Sequence, residues 1–193
     1  MEIYKNEYPW ILLSKQLPEN ISMNIIKYAS HSIVTWMGDP CVKCFYVKKG
    51  AIRYYTYNEN GSMRTFGIVL PGAFIGETLL LKKLNWLFTV ETILETELLP
   101  LDLIQLNNLI KNDTNFALHL VEALASKLMN AYYYEVLAKA PVRKRIEELL
   151  KQFSTPIAKE INKKYHFTHK DIADLTGCHR VTATKIIKEL LTK

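Results

Sequence analysis

The 193-residue chain is 49% apolar and 23% charged, a balance that supports a packed core and argues against disorder. Its formal net charge of +6 is uneven: residues 141–193 hold 12 Lys and Arg against 6 Asp and Glu, so the last quarter carries the whole excess. From the opening Met1-Glu2-Ile3-Tyr4-Lys5 no signal sequence is expected, no run approaches the ~18 apolar residues of a membrane span, and 3 cysteines do not suggest a disulfide framework.

The expectation is a soluble cytoplasmic protein with a neutral body and a basic end. That end either meets a polyanion or is a solvated basic face. Residues 1–30 are expected to form short helices, with Ile21, Ile25 and Ile26 after a break at Pro18. From about His31 to Leu101 β-formers and alternation dominate, in Phe45-Tyr46-Val47, Ile52–Tyr57, Thr65–Leu70 and Thr89–Ile93. Turn signals separate them at Gly38-Asp39-Pro40, Lys48-Lys49-Gly50, Asn58-Glu59-Asn60-Gly61 and Pro71-Gly72. Short strands at such spacing predict an antiparallel barrel or jelly roll.

Helix follows. Asp113-Thr114-Asn115 offers a cap, and Phe116–Ala138 runs without Gly or Pro. Val121, Leu124, Leu128 and Ala131 step by three, four and three, which makes a short coiled-coil-like seam. A helix that pairs two chains and a helix that packs on its own barrel both fit this seam. Pro141 ends or kinks the helix and can start the next, Val142–Phe153. Ser154–Tyr165 reads equally as hairpin or helix. Three units are expected: a β-roll over 1–112, a long helix over 113–140 and a basic helical domain over 141–193.

In the last unit Thr168-His169-Lys170-Asp171 has the form of a capping box. A short helix, Lys170–Leu175, would follow. Thr176-Gly177-Cys178 supplies a tight turn with Gly in the left-handed region, and a second helix runs from about His179 to Leu191. Ala173, four residues before Gly177, is small enough for the helices to cross closely. Ile172, Cys178, Ala183, Ile186 and Leu190 can face inward. That leaves His179, Arg180, Val181, Thr182 and Lys185 outward near the start of the second helix, where a major groove would meet them. Arg180 can pair with guanine, Val181 can touch a thymine methyl, and Thr182 and Lys185 suit phosphates or bases. The plain alternative is a helical hairpin with a basic surface.

These two halves together resemble the Crp/Fnr family of bacterial transcription regulators. In the first half the resemblance rests on Gly38-Asp39-Pro40, Phe45–Gly50, Asn60-Gly61 and Pro71-Gly72-Ala73-Phe74-Ile75-Gly76-Glu77. In the second it rests on Asp171-Ile172-Ala173 and Thr176–Thr182. It implies an α+β chain: an N-terminal effector-sensing β-roll of cyclic-nucleotide-binding type, a long dimerisation helix and a C-terminal helix-turn-helix. It further implies a homodimer on near-palindromic double-stranded DNA, with RNA polymerase as a further partner, and no enzyme activity.

Departures from the family pattern narrow this reading. Members that bind cyclic nucleotides hold the phosphate with Arg followed by Ser or Thr; the aligned residues here are Trp86 and Leu87, and no Arg lies between Arg64 and Arg143. Cyclic AMP is therefore not expected as the effector, since its phosphate would be buried without a guanidinium. An apolar or aromatic effector is the alternative, in a pocket of Gly76, Glu77, Trp86, Leu87, Asn130 and Tyr133. The family branch sensing halogenated aromatic acids also places His and Val early in the reading helix, as His179 and Val181 stand here. Trp86 and Leu87 read equally as filling an obsolete pocket. Val181 replaces the Glu that many members use to accept from cytosine, so base preference should shift there. After Leu191 the sequence has two residues, short of the full wing hairpin that the resemblance implies, so either a naturally short chain without a full wing or a truncated one is expected.

Other chemistries find less support. An iron–sulfur sensor needs about four cysteine ligands. Cys41 and Cys44 leave a redox-switching dithiol as an alternative, beside a structural role. No metal site is expected, because only His31 of the five histidines borders the β-region, and no Gly-x-Ser-x-Gly elbow is present. A β-roll sensor acting on a protein partner is the remaining alternative.

Overall fold

The computed structural model describes residues 11–12, 24–59, 61, 63–153, 159, 163 and 166–192. In chain order these form β1 (Ile11–Leu12), β2 (Ile26–Tyr28), β3 (Ile33–Thr35), β4 (Lys43–Lys49), β5 (Ile52–Tyr57), β6 (Met63–Val69), β7 (Phe74–Ile75), α1 (Glu77–Lys82), β8 (Thr89–Thr92) and β9 (Thr96–Asp102). Then come α2 (Leu103–Asn112), α3 (Thr114–Ala138), α4 (Val142–Phe153), α5 (His169–Thr176) and α6 (Arg180–Leu191).

The strands form two sheets, ordered β1-β6-β5-β8-β3 and β2-β9-β4-β7. Pairing is antiparallel except for β1, which runs parallel to β6. The helices expected in residues 1–30 are replaced, where the chain is described, by β1 and β2. Adjacent β-branched Ile25 and Ile26 suit an exposed edge strand, and β2 is the edge beside β9. Residues 1–10 and 13–23, with Pro18 and Ile21, lie outside the described residues, as does most of Ser154–Tyr165. Pro100 sits inside β9, where its missing donor costs no ladder bond: β2 pairs only as far as Leu98.

Two cores follow. Between the sheets, Val47, Ile52, Val69, Phe74, Val90, Leu98 and Leu101 pack with Leu106 of α2 and Phe116 and Leu120 of α3. Asp113 caps α3 by accepting from the Phe116 N–H at 3.0 Å. The second core lies on the other face of the five-stranded sheet. There Ala51, Ile68, Leu70 and Ile93 meet Leu137, Ile146, Leu149, Ile172, Leu175 and Ala183. This core seats the last helices on the roll. Arg53 on β5 grips Glu91 on β8 at 3.1–3.2 Å and reaches Asp171 of α5 at 3.8 Å. Among the described residues no helix is long and apolar enough to cross a membrane.

Candidate nucleic-acid interface and effector site

The pair α5–α6 is a helix-turn-helix. Thr168 and Asp171 make a complete capping box: the Asp171 N–H donates to the Thr168 hydroxyl at 3.2 Å, and the Thr168 N–H donates to the Asp171 carboxylate at 2.8 Å. Gly177 stops α5 with φ 64°, and its N–H and that of Cys178 return to Ala173 O. Thr176 Oγ1 donates to Ile172 O at 2.6 Å within α5, and the His169 ring meets Thr184 Oγ1 of α6 at 3.0 Å, which ties the two helices together. Both helices run within a residue or so of the expected bounds.

Inside α6, Ala183, Ile186 and Ile187 are buried, and Leu190 packs against the same core. His179, Arg180, Val181, Thr182 and Lys185 are all exposed, Val181 to 76%. His179 stands at the N-cap without a side-chain cap bond. The first turn of α6 thus presents free N–H groups, a guanidinium, a hydroxyl and an apolar tip on one surface. That surface can hydrogen-bond phosphates and base edges together. It borders a cleft of about 740 Å³ under the β5–β6 hairpin, where Arg64, Arg145, Lys170 and Arg180 add positive charge.

On α3 an apolar stripe faces away from the roll: Leu118, Val121, Leu128, Tyr132 and Val136 are each more than half exposed. Of the sequence-stated seam, Val121, Leu128 and Ala131 are exposed, whereas Leu124 turns back onto the first core. The stripe is longer than the seam and reaches the end of the helix.

The proposed effector residues divide. Gly76 has φ 87° and lies under the Trp86 ring, so closely that a Cβ there would fall inside it. Trp86 is buried and stacks on Phe45. Glu77, whose side chain is 2% exposed, opens α1 beside it. Asn130 is buried on α3. Leu87, by contrast, is 55% exposed, and Tyr133 reaches away to Glu148 of α4 at 3.3 Å.

Three polar residues that the sequence reading left out join these parts. Lys127 Nζ donates to Glu77 Oε1 at 2.5 Å and to Phe74 O at 2.7 Å. Glu77 Oε2 is buried without a hydrogen-bond partner. Arg64 of the hairpin donates to the Tyr134 hydroxyl at 2.8 Å. Arg145 donates to Ala138 O and Ala140 O, both at 3.1 Å, across the α3–α4 corner at Pro141. Lys127 had a signal: it occupies the inward stripe of Phe116, Leu120, Ala123, Asn130 and Leu137, so a charge there must find a buried partner.

Cys41 and Cys44 are both buried. Burial, with the nearby Glu77 charge, pushes the Cys41 thiol up to about 11 and Cys44 higher still. Cys41 also donates to Gly76 O at 3.5 Å.

Comparison with known proteins agrees with this architecture. Residues 25–113 match the cyclic nucleotide-binding domain family, which defines the class of the roll. The transcriptional regulator SdrP of Thermus thermophilus is 28% identical over 170 residues, covering 86% of this chain and 81% of that protein. Among solved structures, FixK2 from Bradyrhizobium japonicum has a TM-score of 0.71 at 19% identity, covering 89% of this chain and 86% of the other. A CRP/FNR-family regulator from Thermus thermophilus has a TM-score of 0.65 at 23% identity, covering 88% and 86%. Over residues 25–113 the chain is similar to the cyclic nucleotide-binding domain family, and over most of its length it is similar to a transcriptional regulator, SdrP, and shares the fold of a CRP/FNR-family regulator.

Proposed function

We propose that the chain is a sequence-specific DNA-binding transcription regulator of Crp/Fnr type, acting as a homodimer and indifferent to cyclic AMP. The observation that carries this is α6: five side chains suited to a groove are exposed together on a helix whose opposite face is buried. The basic excess of residues 141–193 supports a polyanion partner for the same unit. The exposed stripe of α3 supports pairing of two copies, which would place two reading helices on a near-palindromic duplex.

The cyclic-AMP part rests on charge. The cation near the roll site is Lys127, and Glu77 already neutralises it. A cyclic phosphate would have to displace a buried carboxylate, at a cost of several kcal/mol. The redox alternative loses support from the thiols, since raised pKa values leave little thiolate at neutral pH. The partner-protein alternative leaves the exposed α6 set without a task.

The test is selection of duplexes from a random pool by the purified protein, followed by footprinting. A two-fold-related site whose preference departs from the usual family half-site at the pair facing Val181 is expected. Recovery of no preferred sequence would refute the proposal, and millimolar cyclic AMP is expected to leave the affinity unchanged.

A further inference from the structure

We infer that Lys127 does the work of a small-molecule effector, joining the roll to α3 permanently, so that DNA reading needs no bound ligand. This rests on the DNA-binding reading above. A ligand-gated sensor needs something that contacts both the roll and the helix leading to the DNA head, and that is present only on signal. Here the chain itself makes that contact. One ammonium on α3 bonds the Glu77 carboxylate in the first turn of α1 and the Phe74 carbonyl on β7. It uses two of its three donors on the roll.

The pair is sequestered: the Glu77 side chain is 2% exposed and that of Lys127 22%. Trp86 closes the adjoining space by lying over Gly76. Oε2 of Glu77 is the acceptor left over, and a water or a hydroxyl can satisfy it; an anion would be repelled. From Lys127 the helix continues to Ala138, where Arg145 of α4 takes the last carbonyls. The position that Lys127 gives α3 is therefore passed to the start of the head through direct bonds. A tethered ammonium meets its partner at an effective concentration no free effector reaches, so the joined state is the populated one.

The experiment uses the full chain, unfolded in guanidinium, dialysed and refolded to remove small molecules, then titrated with the duplex recovered by selection. The stripped protein is expected to bind as tightly as before, with no response to millimolar cyclic AMP. Lys127→Ala is expected to weaken binding by about tenfold while remaining dimeric. Adding n-propylammonium, which replaces the side-chain atoms beyond the Cβ that alanine keeps, should restore most of the loss. Where Lys127→Ala does not fold, the double variant Glu77→Gln with Lys127→Met carries the test. It strands no charge, and it should bind about tenfold more weakly with no rescue by the amine.

The inference is overturned by wild-type affinity in the variants, by an amine with no effect on folded Lys127→Ala, or by a stripped wild-type protein that binds only once cyclic AMP is added. Failure of the selection step itself would overturn the DNA-binding reading and this inference together. Failure at the variants would overturn this inference alone.

Discussion

Charge is used in opposite ways in the helix-turn-helix and in the roll. On α6, Arg180 and Lys185 stand in solvent beside His179, Val181 and Thr182, and Ala183, Ile186 and Ile187 hold the helix in place. In the roll, Glu77 and Lys127 are drawn between β7, α1 and α3 and bond each other. The first arrangement leaves charges free to meet a partner and contributes little to folding. The second makes each charge depend on the other, because removing one strands its partner away from water. Substitutions should therefore separate binding from stability at α6 and couple them in the roll.

The largest effect is expected where the coupling is tightest. Lys127→Met leaves the Glu77 carboxylate buried and unpaired, and should cost about 3 kcal/mol in urea unfolding. The double change of Glu77→Gln with Lys127→Met should recover most of that. Equal loss in the single and double variants would mean that packing, not charge, sets the cost. At the other end, Arg180→Ala should weaken DNA binding by about 1–3 kcal/mol, relax choice at one base pair, and move stability by less than about 0.5 kcal/mol. Lys185→Ala should weaken binding to all sequences alike and reduce the slope of affinity against salt by about one. A variant of either residue that lowers the unfolding midpoint substantially would break the contrast.

The same contrast explains what was readable beforehand. The capping box at Thr168 and Asp171, the Gly177 turn and the outward set on α6 were legible, because each depends on residues within one or two helical turns. Helix Val142–Phe153 and the cap of α3 were legible for the same reason. The roll was legible as a class from its alternation and turns. Its edge strands were not: β1 and β2 draw their conformation from β6 and β9, more than fifty residues away. The six proposed pocket residues came from the family resemblance, and side-chain direction then divided them, with Trp86 inward and Leu87 outward. The Lys127–Glu77 pair spans 50 residues and has no local pattern beyond one charge on an apolar stripe. Leu124 and Leu128 differ in role for a similar reason: the roll covers one face of α3 and leaves the other exposed.

A smaller effect probes the joint between head and roll. Thr168→Ala removes the hydroxyl of the capping box and should cost about 1 kcal/mol. Asp171 also reaches Arg53 of the roll at 3.8 Å. Asp171→Ala should therefore lose the carboxylate half of the capping box and weaken the seating of α5 on β5 in one step. Hydrogen exchange of α5 amides reads both, and the order Asp171→Ala above Thr168→Ala is expected. The reverse order would mean that the Arg53 bridge adds nothing.

The smallest effect concerns pH at Glu148, which accepts from Tyr133 of α3 and pairs with Lys144 and Lys151 on its own helix. Burial raises its pKa, but the bonds and charges of the two lysines outweigh that and hold it below the ordinary 4.5. A carboxyl whose folded value is depressed binds fewer protons in the native state. Its contribution to stability is therefore complete above the unfolded value and is lost as pH falls through the folded one. Its pairs are partly exposed, so the amount is about 1 kcal/mol or less. Glu148→Gln should flatten the acid side of the stability profile below pH 4.5 and leave the profile from pH 6 to 8 nearly parallel to wild type. Tyr133→Phe removes only the contact to α3 and should keep the acid slope, because the two lysines remain. If Tyr133→Phe flattened the slope as much as Glu148→Gln, the α3–α4 contact would be what depresses this carboxyl. The corner at Pro141 would then be held by a half-buried carboxyl bonded across two helices, and not by exposed charges like those of α6.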